Sequence, residues 1–421
     1  MSISRFNFVI LFVFMSFGLI AQTAVEMPMP TSELMTLIDG HIQKYVDEGK
    51  LPGGVFMVNK DGKNIYNKSF GNNAENDPYQ SDDIFRIASM TKAFTSVAIM
   101  QLVEQGKVDL DATVSTYIPA FANTQVLDEF NAADSTFTTK SVENPITVRH
   151  LMSHTSGIYY PAFSPGKLQA ISAKIGTGLY GLAGMNSTME MVNHLAMQPL
   201  AHEPGAQWTY GLNMEIMGGI VATVSGKTLQ QYFIDHIMDA IGIEDTRFYL
   251  PEDKHSRLVN LYAPAAPGKL VVNPDPNMAF PLLPDHDHYA GGGGMSGTAG
   301  DYMTFIETLR KDGTEGTGIL LKKESVDQIV TDQLAMMNVT NRSWLAMEKM
   351  TFGLGFSLTT EESLGSFSPG TYAWGGYFNT KFWIDPVQNL TFVGMTNVLP
   401  FQHNEFWNEL YALIYQAVEV E

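Results

Sequence analysis

The amino-acid sequence predicts an α+β fold: an antiparallel sheet flanked by helices, with a mostly helical region inserted between its strands. Three observations carry that expectation. Strand-patterned segments cluster at the two ends of the chain: "GGVFMVNKDGKNIYNKSFG" from Gly53, then "MTFGLGFSL", "WGGYFNTKFWID" and "NLTFVGMTN" from Met350 onward. The stretch from about Asp109 to Val259 reads instead as helices and loops, broken often by Gly and Pro, as in Ser164-Pro165-Gly166 and Glu203-Pro204-Gly205. Helical patterns also flank the strands at both ends, and such a mixture packs as a sheet covered by helices.

Each element has its own signal. In "TSELMTLIDGHIQKYVDEG" the apolar residues Leu34, Leu37, Ile38, Ile42, Tyr45 and Val46 recur at helical spacing, with Thr31 or Ser32 as N-cap and Gly49 near the end. The next segment makes two strands about an Asp61-Gly62 turn. "FRIASMTKAFTSVAIMQLVEQG", Phe85 to Gly106, carries Met90, Phe94, Val97, Ala98 and Leu102 at positions that suit a buried helix. Asp385-Pro386 turns the last two strand segments into a hairpin, and "EFWNELYALIYQAVEV" closes the chain as an amphipathic helix. The α/β part is therefore expected over about 25–108 and 290–421, and the helical part over about 109–289.

Composition narrows the function. Of 421 residues, 44 are acidic and 25 basic, a net charge of −19, and such a surface repels phosphate backbones, so nucleic acid is not an expected partner. The absence of cysteine excludes disulfides, thiolate catalysis, cysteine-ligated metal sites and a lipoprotein-type anchor. Arg5, the apolar run "FNFVILFVFMSFGLIA" and the small-residue stretch to Ala24 form a signal peptide pattern over 1–24, with an uncleaved anchor as the alternative. The mature chain has no later segment long and apolar enough to cross a bilayer, so it is expected to be exported, periplasmic or secreted, without an integral membrane domain.

Ser89-Met90-Thr91-Lys92 is the candidate for chemistry. Residues i and i+3 share a helix face, which puts the hydroxyl and the amine within hydrogen-bonding reach. A serine hydroxyl needs a base, and a lysine desolvated by apolar neighbours can serve as one. The same spacing recurs at Ser164-Pro165-Gly166-Lys167, where Pro-Gly cannot hold a helical face, so the spacing alone does not identify a site.

Further segments supply context. "FRIASMTK" resembles the nucleophile segment of the serine β-lactamase and penicillin-binding superfamily, especially its class C β-lactamase-like branch. "ITVRHLMSHTSGI", "WTYGLNMEIMGGIV", "GGGGMSGTAGDYMTF" and "YAWGGYFNTKFWIDP" resemble other signatures of that branch, in family order, over roughly residues 35 to 415. The resemblance implies a β-lactamase-like fold, Ser89 as acylated nucleophile, Lys92 as its base partner and Tyr210 as a shared proton carrier. It also implies an oxyanion hole made by the backbone amides of Ser89 and Tyr377, after Trp374-Gly375-Gly376.

Departures from the family pattern bear on substrate. Where β-lactamases of this superfamily carry a Lys-Thr-Gly strand, the chain has Trp374, Gly375 and Gly376, and an indole supplies no charge for a carboxylate. The third residue of the Tyr-x-Asn motif is Leu212; Asn213 comes one position late and would point elsewhere on a helix. Trp-Gly-Gly is similar to the family VIII carboxylesterases and related transesterases. Trp374, Gly375, Gly376 and Leu212 are therefore the expected substrate-binding residues, in a cleft more apolar than a lactamase's. Losing a charged anchor favours an ester over a lactam.

Other constellations are weaker. No Gly-x-Ser-x-Gly is present, and His150 and His154 lack the glutamate of a His-Glu-x-x-His zinc motif because position 151 is Leu. Asp285 to His288, "DHDH", reads as a solvated loop or cleft rim. The expected protein is an exported serine hydrolase without metal or cofactor, acting on a small ester or amide and best suited to short-chain carboxylic esters. The alternatives are a class C-like β-lactamase, a D-amino-acid peptidase, or a penicillin-binding relative that does not turn over.

Overall fold

A computed structural model describes residues 31–178, 186–273, 276–283, 286–363 and 365–418, so the expected signal segment lies outside the described residues. Helix α1 spans Thr31–Asp47 and buries Ile38, Ile42 and Tyr45. Strands β1 (Gly53–Lys60) and β2 (Lys63–Ala74) follow as a hairpin. Its turn residues Asp61 and Gly62 have φ of 50° and 74°, the left-handed pair that matches the twist of antiparallel strands and that Asp-Gly adopts readily. A short strand β3 (Asp77–Pro78) pairs with β2. Strand β4 (Phe85–Arg86) leads through a single 3-10 turn, Ala88–Met90, into α2, Thr91–Glu104. Every α2 residue from Thr91 to Leu102 is buried, as a helix at the centre of a domain must be.

The middle of the chain holds the strands β5 (Gln125–Asn131) and β6 (Thr136–Ser141), the helices α3 (Val148–Met152), α4 (Gly166–Ile175), α5 (Thr188–Leu195), α6 (Asn213–Ser225), α7 (Leu229–Phe233) and α8 (Asp239–Ile241), and the strands β7 (Tyr262–Ala266) and β8 (Lys269–Val272). The β5–β6 and β7–β8 hairpins fall in the region expected to be helical. Both are mostly exposed ribbons with little apolar alternation; Phe130 and Phe137 pack beneath the first, against Tyr159, Leu168 and Ile171. Two-residue strand β9 (Ser296–Gly297) then pairs with β4.

Helices α9 (Ala299–Thr314), α10 (Lys323–Ile329) and α11 (Gln333–Met336) precede the closing strands β10 (Thr351–Phe352), β11 (Ser357–Leu358), β12 (Tyr372–Gly376), β13 (Thr380–Asp385) and β14 (Leu390–Met395), and α12 (Glu405–Val418) ends the described chain. Asp385 makes the last hairpin turn: its Oδ1 accepts the N–H groups of Val387 and Gln388, both at 2.9 Å.

One antiparallel sheet runs in the order β10-β11-β12-β13-β14-β1-β2-β3, so both ends of the chain meet at the β14–β1 pair, with Val55 opposite Met395. Because successive side chains alternate across a sheet, β1 sends Phe56 and Val58 to one face and Val55 and Met57 to the other. The first, outer face packs on α1 and α12; the inner face packs on α2, α9 and the helical region. The Ala88–Met90 turn is pressed against β12, and that contact builds the site.

Candidate active site

Ser89 sits in the 3-10 turn and Lys92 in the first turn of α2, directly after Ala88, whose φ is +45°. Lys92 Nζ lies 3.1 Å from Ser89 Oγ. It also donates to the Gly292 carbonyl at 2.5 Å and to Tyr160 Oη at 3.3 Å, so three oxygens surround Nζ. Lys92 is 1% exposed, and its Nζ stands 4.9 Å from the Tyr210 ring centre and 5.4 Å from that of Tyr160. An amine buried this deeply needs such polar partners, because water cannot supply them.

Tyr210 Oη is 2.7 Å from Ser89 Oγ. Its segment is held by the loop after α3: Thr209 N–H donates to the His154 carbonyl at 2.8 Å, and Gly211 N–H points at His154 Nδ1 at 3.4 Å. His154 Nδ1 also lies 2.7 Å from Asn213 Nδ2, and Ser156 Oγ donates to Asn213 Oδ1 at 2.5 Å. Burial, and then the charge of Lys92, hold His154 well below its ordinary pKa. The ring is therefore neutral, with Nδ1 accepting from the amide and the proton on Nε2. Asn213, at the start of α6, thus faces this buried network rather than Ser89.

The Trp374-Gly375-Gly376 strand lies on the other side of Ser89. A Cβ at Gly376 would come within 2.4 Å of the Ile87 carbonyl and 2.1 Å of Thr380 Oγ1, so only glycine lets β12 approach the nucleophile turn. Trp374 keeps 4% of its surface and fills the space beside Tyr210, with ring centres 5.4 Å apart. Tyr377, 36% exposed, stands at the mouth with its ring 5.8 Å from that of Phe163.

One expectation needs correction, and one neighbour of the strand was not foreseen. Leu212 has no exposed surface and belongs to the core, so it does not line the cleft; the turn before α6 directs it inward. A cation does lie near the strand, although Trp374 replaces the lysine. Lys381 of β13 packs its amine behind Gly375, where a Cβ would approach Nζ to 2.8 Å. Gly375 pairs with Lys381 in the ladder, and Lys381, Glu348 and Trp374 line one small cavity beside the strand. Burial lowers the Lys381 pKa to about 8.

The remaining candidates are placed apart from Ser89. His150 completes a capping box at α3 with Thr147. Ser164 donates to the Tyr160 carbonyl, and Lys167 lies on exposed surface. Asp285 falls outside the described residues. Three neighbours of the reacting groups went unread in the sequence: Tyr160, Gly292 and Glu215. Glu215 had a visible signal, as the one charge in the apolar helix "NMEIMGGIV". Tyr160 had none that distinguished it from other aromatic residues.

Known proteins resemble the chain in sequence and in fold. The family model described as Beta-lactamase matches residues 38–416. Lovastatin esterase of Penicillium rubens is 30% identical over 391 residues, covering 86% of this chain and 93% of its own length. Simvastatin synthase from Aspergillus terreus superposes with a TM-score of 0.75 at 26% identity, over 91% of this chain and 98% of that one. The structure of EstCE1, "a hydrolase with promiscuous acyltransferase activity", gives a TM-score of 0.77 at 24% identity, over 91% and 99%, a likeness of fold. With nearly the whole described chain covered, and with this fold, the protein belongs to the Beta-lactamase family.

Proposed function

We propose that this β-lactamase-related serine hydrolase cleaves short-chain carboxylic esters through an acyl-enzyme on Ser89. The observation that carries the reading is the position of Ser89 Oγ, 2.7 Å from a phenol and 3.1 Å from a buried amine. Ser89 Oγ attacks the ester carbonyl carbon while its proton passes to the Lys92–Tyr210 pair. The amides of Ser89 and Tyr377 take the developing oxyanion. The C–O bond to the alcohol then breaks, and Tyr210 Oη returns the proton to the leaving oxygen. Water repeats the sequence on the acyl group, giving the acid and restoring Ser89.

Ester is preferred over lactam because Trp374 carries no charge and the cation near it, Lys381, is buried beside Glu348. The aromatic rings of Phe163, Tyr210 and Tyr377 crowd the entrance, which suits a small acyl group. A second reading has a specific support: among the relatives is monacolin J acid methylbutanoyltransferase of Aspergillus terreus, 28% identical over 402 residues. In that reading an alcohol in place of water takes the acyl group from Ser89. Export follows from the 1–24 pattern and is part of the proposal.

Purified protein assayed on p-nitrophenyl butyrate, a chromogenic cephalosporin and a D-Ala-D-Ala peptide separates the readings. Ester turnover should dominate and vanish in Ser89→Ala. Lactam turnover far above ester turnover would overturn the substrate assignment. An added alcohol that diverts product from acid to new ester would favour acyl transfer.

A further inference from the structure

Glu215 takes no part in the steps above, yet it is fully buried in the first turn of α6 beside the reacting groups. Gly292 joins it to Lys92. The Gly292 N–H donates to the Glu215 carboxylate, while the Gly292 carbonyl accepts from Lys92 Nζ at 2.5 Å. The approach is too close for any other residue: a Cβ at position 292 would lie 2.5 Å from Glu215 Oε1 and 3.2 Å from Tyr160 Oη. Glu215 Oε2 has no hydrogen-bond partner among the described residues, so Gly292 is the link between this side chain and Lys92.

We infer that Glu215 is a positioning residue for the Ser89 reaction: through Gly292 it fixes the carbonyl that orients Lys92. The inference rests on the acyl-enzyme reading above. The groups that face Lys92 are Ser89 from its own turn, His154 from the loop after α3, Tyr160 from the following loop, Tyr210 before α6, and Glu215 on α6. His154 is neutral for the reasons given, which leaves Glu215 as the carboxylate in this set. Burial raises its pKa to about 7, and the Gly292 N–H and Lys92 pull against that rise. With the Gly292 carbonyl no longer held, the Lys92 amine loses its fixed place beside Ser89 Oγ, and the rate of attack should fall.

The test uses Glu215→Ala and Glu215→Gln with a fluorophosphonate that labels Ser89 whatever the natural substrate. Glu215→Ala should label about tenfold more slowly than wild type, while Glu215→Gln, whose side-chain oxygen can still accept from the Gly292 N–H, should restore most of the rate. A wild-type rate in Glu215→Ala, or a rate in Glu215→Gln no better than in Glu215→Ala, would overturn the inference. Should Glu215→Ala fail to fold, Gly292→Ala pushes the carboxylate aside and must slow labelling likewise; an unchanged rate there overturns it too. Absence of Ser89 labelling in wild type would instead defeat the acyl-enzyme reading, so the two failures are distinct.

Discussion

On the outer face of the sheet, Phe56, Trp383 and Phe392 pack against Trp407 and Tyr411 of α12 and Ile38 and Ile42 of α1. On the inner side, between α2 and α6, the chain buries Lys92, His154, Asn213 and Glu215 as completely as it buries leucines. The outer core is built from apolar area, which stabilises wherever it is packed. The inner cluster takes charges and amides out of water, which is costly even when each finds a partner. Residues chosen for stability would be apolar there; those present suit proton transfer instead. Side chains on the outer face should therefore control folding, and those in the inner cluster should control rate.

The largest effect expected from that contrast is on rate. Lys92→Ala should lose about a thousandfold in kcat/KM, roughly 4 kcal/mol of transition-state stabilisation, without a lower melting temperature. Steady-state ester hydrolysis and a thermal melt check both halves, and a near-normal rate would break the contrast. Trp383→Ala should do the reverse. Urea unfolding should show a loss of about 3 to 5 kcal/mol, with turnover per folded molecule unchanged. Tyr210→Phe keeps the ring and removes the hydroxyl 2.7 Å from Ser89, so about a hundredfold should be lost from kcat with little change in stability.

A smaller effect is expected from acid, and both faces contribute. His41 on the outer face and His150 and His154 on the inner side all have pKa values lowered by burial from 6.5, His150 to about 4. The unfolded chain binds these protons first, so stability is full above pH 6.5 and falls as pH drops toward 4. Glu215 acts oppositely: its pKa is raised from 4.5 to about 7, so its contribution is present below 4.5 and lost as pH rises through 7. Denaturant midpoints between pH 4 and 8 should therefore drop on the acid side, and Glu215→Gln should flatten the neutral side.

The outer face was largely readable from sequence, because α1 and α12 are amphipathic and the hairpins at Asp61-Gly62 and Asp385-Pro386 carry turn chemistry. The exposed β5–β6 and β7–β8 ribbons were not, since few of their side chains are buried and little apolar alternation marks them. At the site, Ser89, Lys92 and Tyr210 were singled out by residue type and order, and the structure brings them within hydrogen-bonding distance. Leu212 was assigned to the cleft by its place as the third residue of the Tyr-x-Asn pattern, which says nothing of side-chain direction, and it packs in the core. Tyr160 and Gly292 act through geometry that appears only when the loop after α3 and the Gly-rich loop meet α2.

The most direct test is to mix the protein with p-nitrophenyl butyrate, quench within one turnover, and map any butyryl group by peptide mass spectrometry. A single butyryl group on the peptide carrying Ser89, absent from Ser89→Ala, is the expected result. A butyryl group on another residue, or ester hydrolysis that persists in Ser89→Ala, would contradict the assignment of Ser89 as the nucleophile.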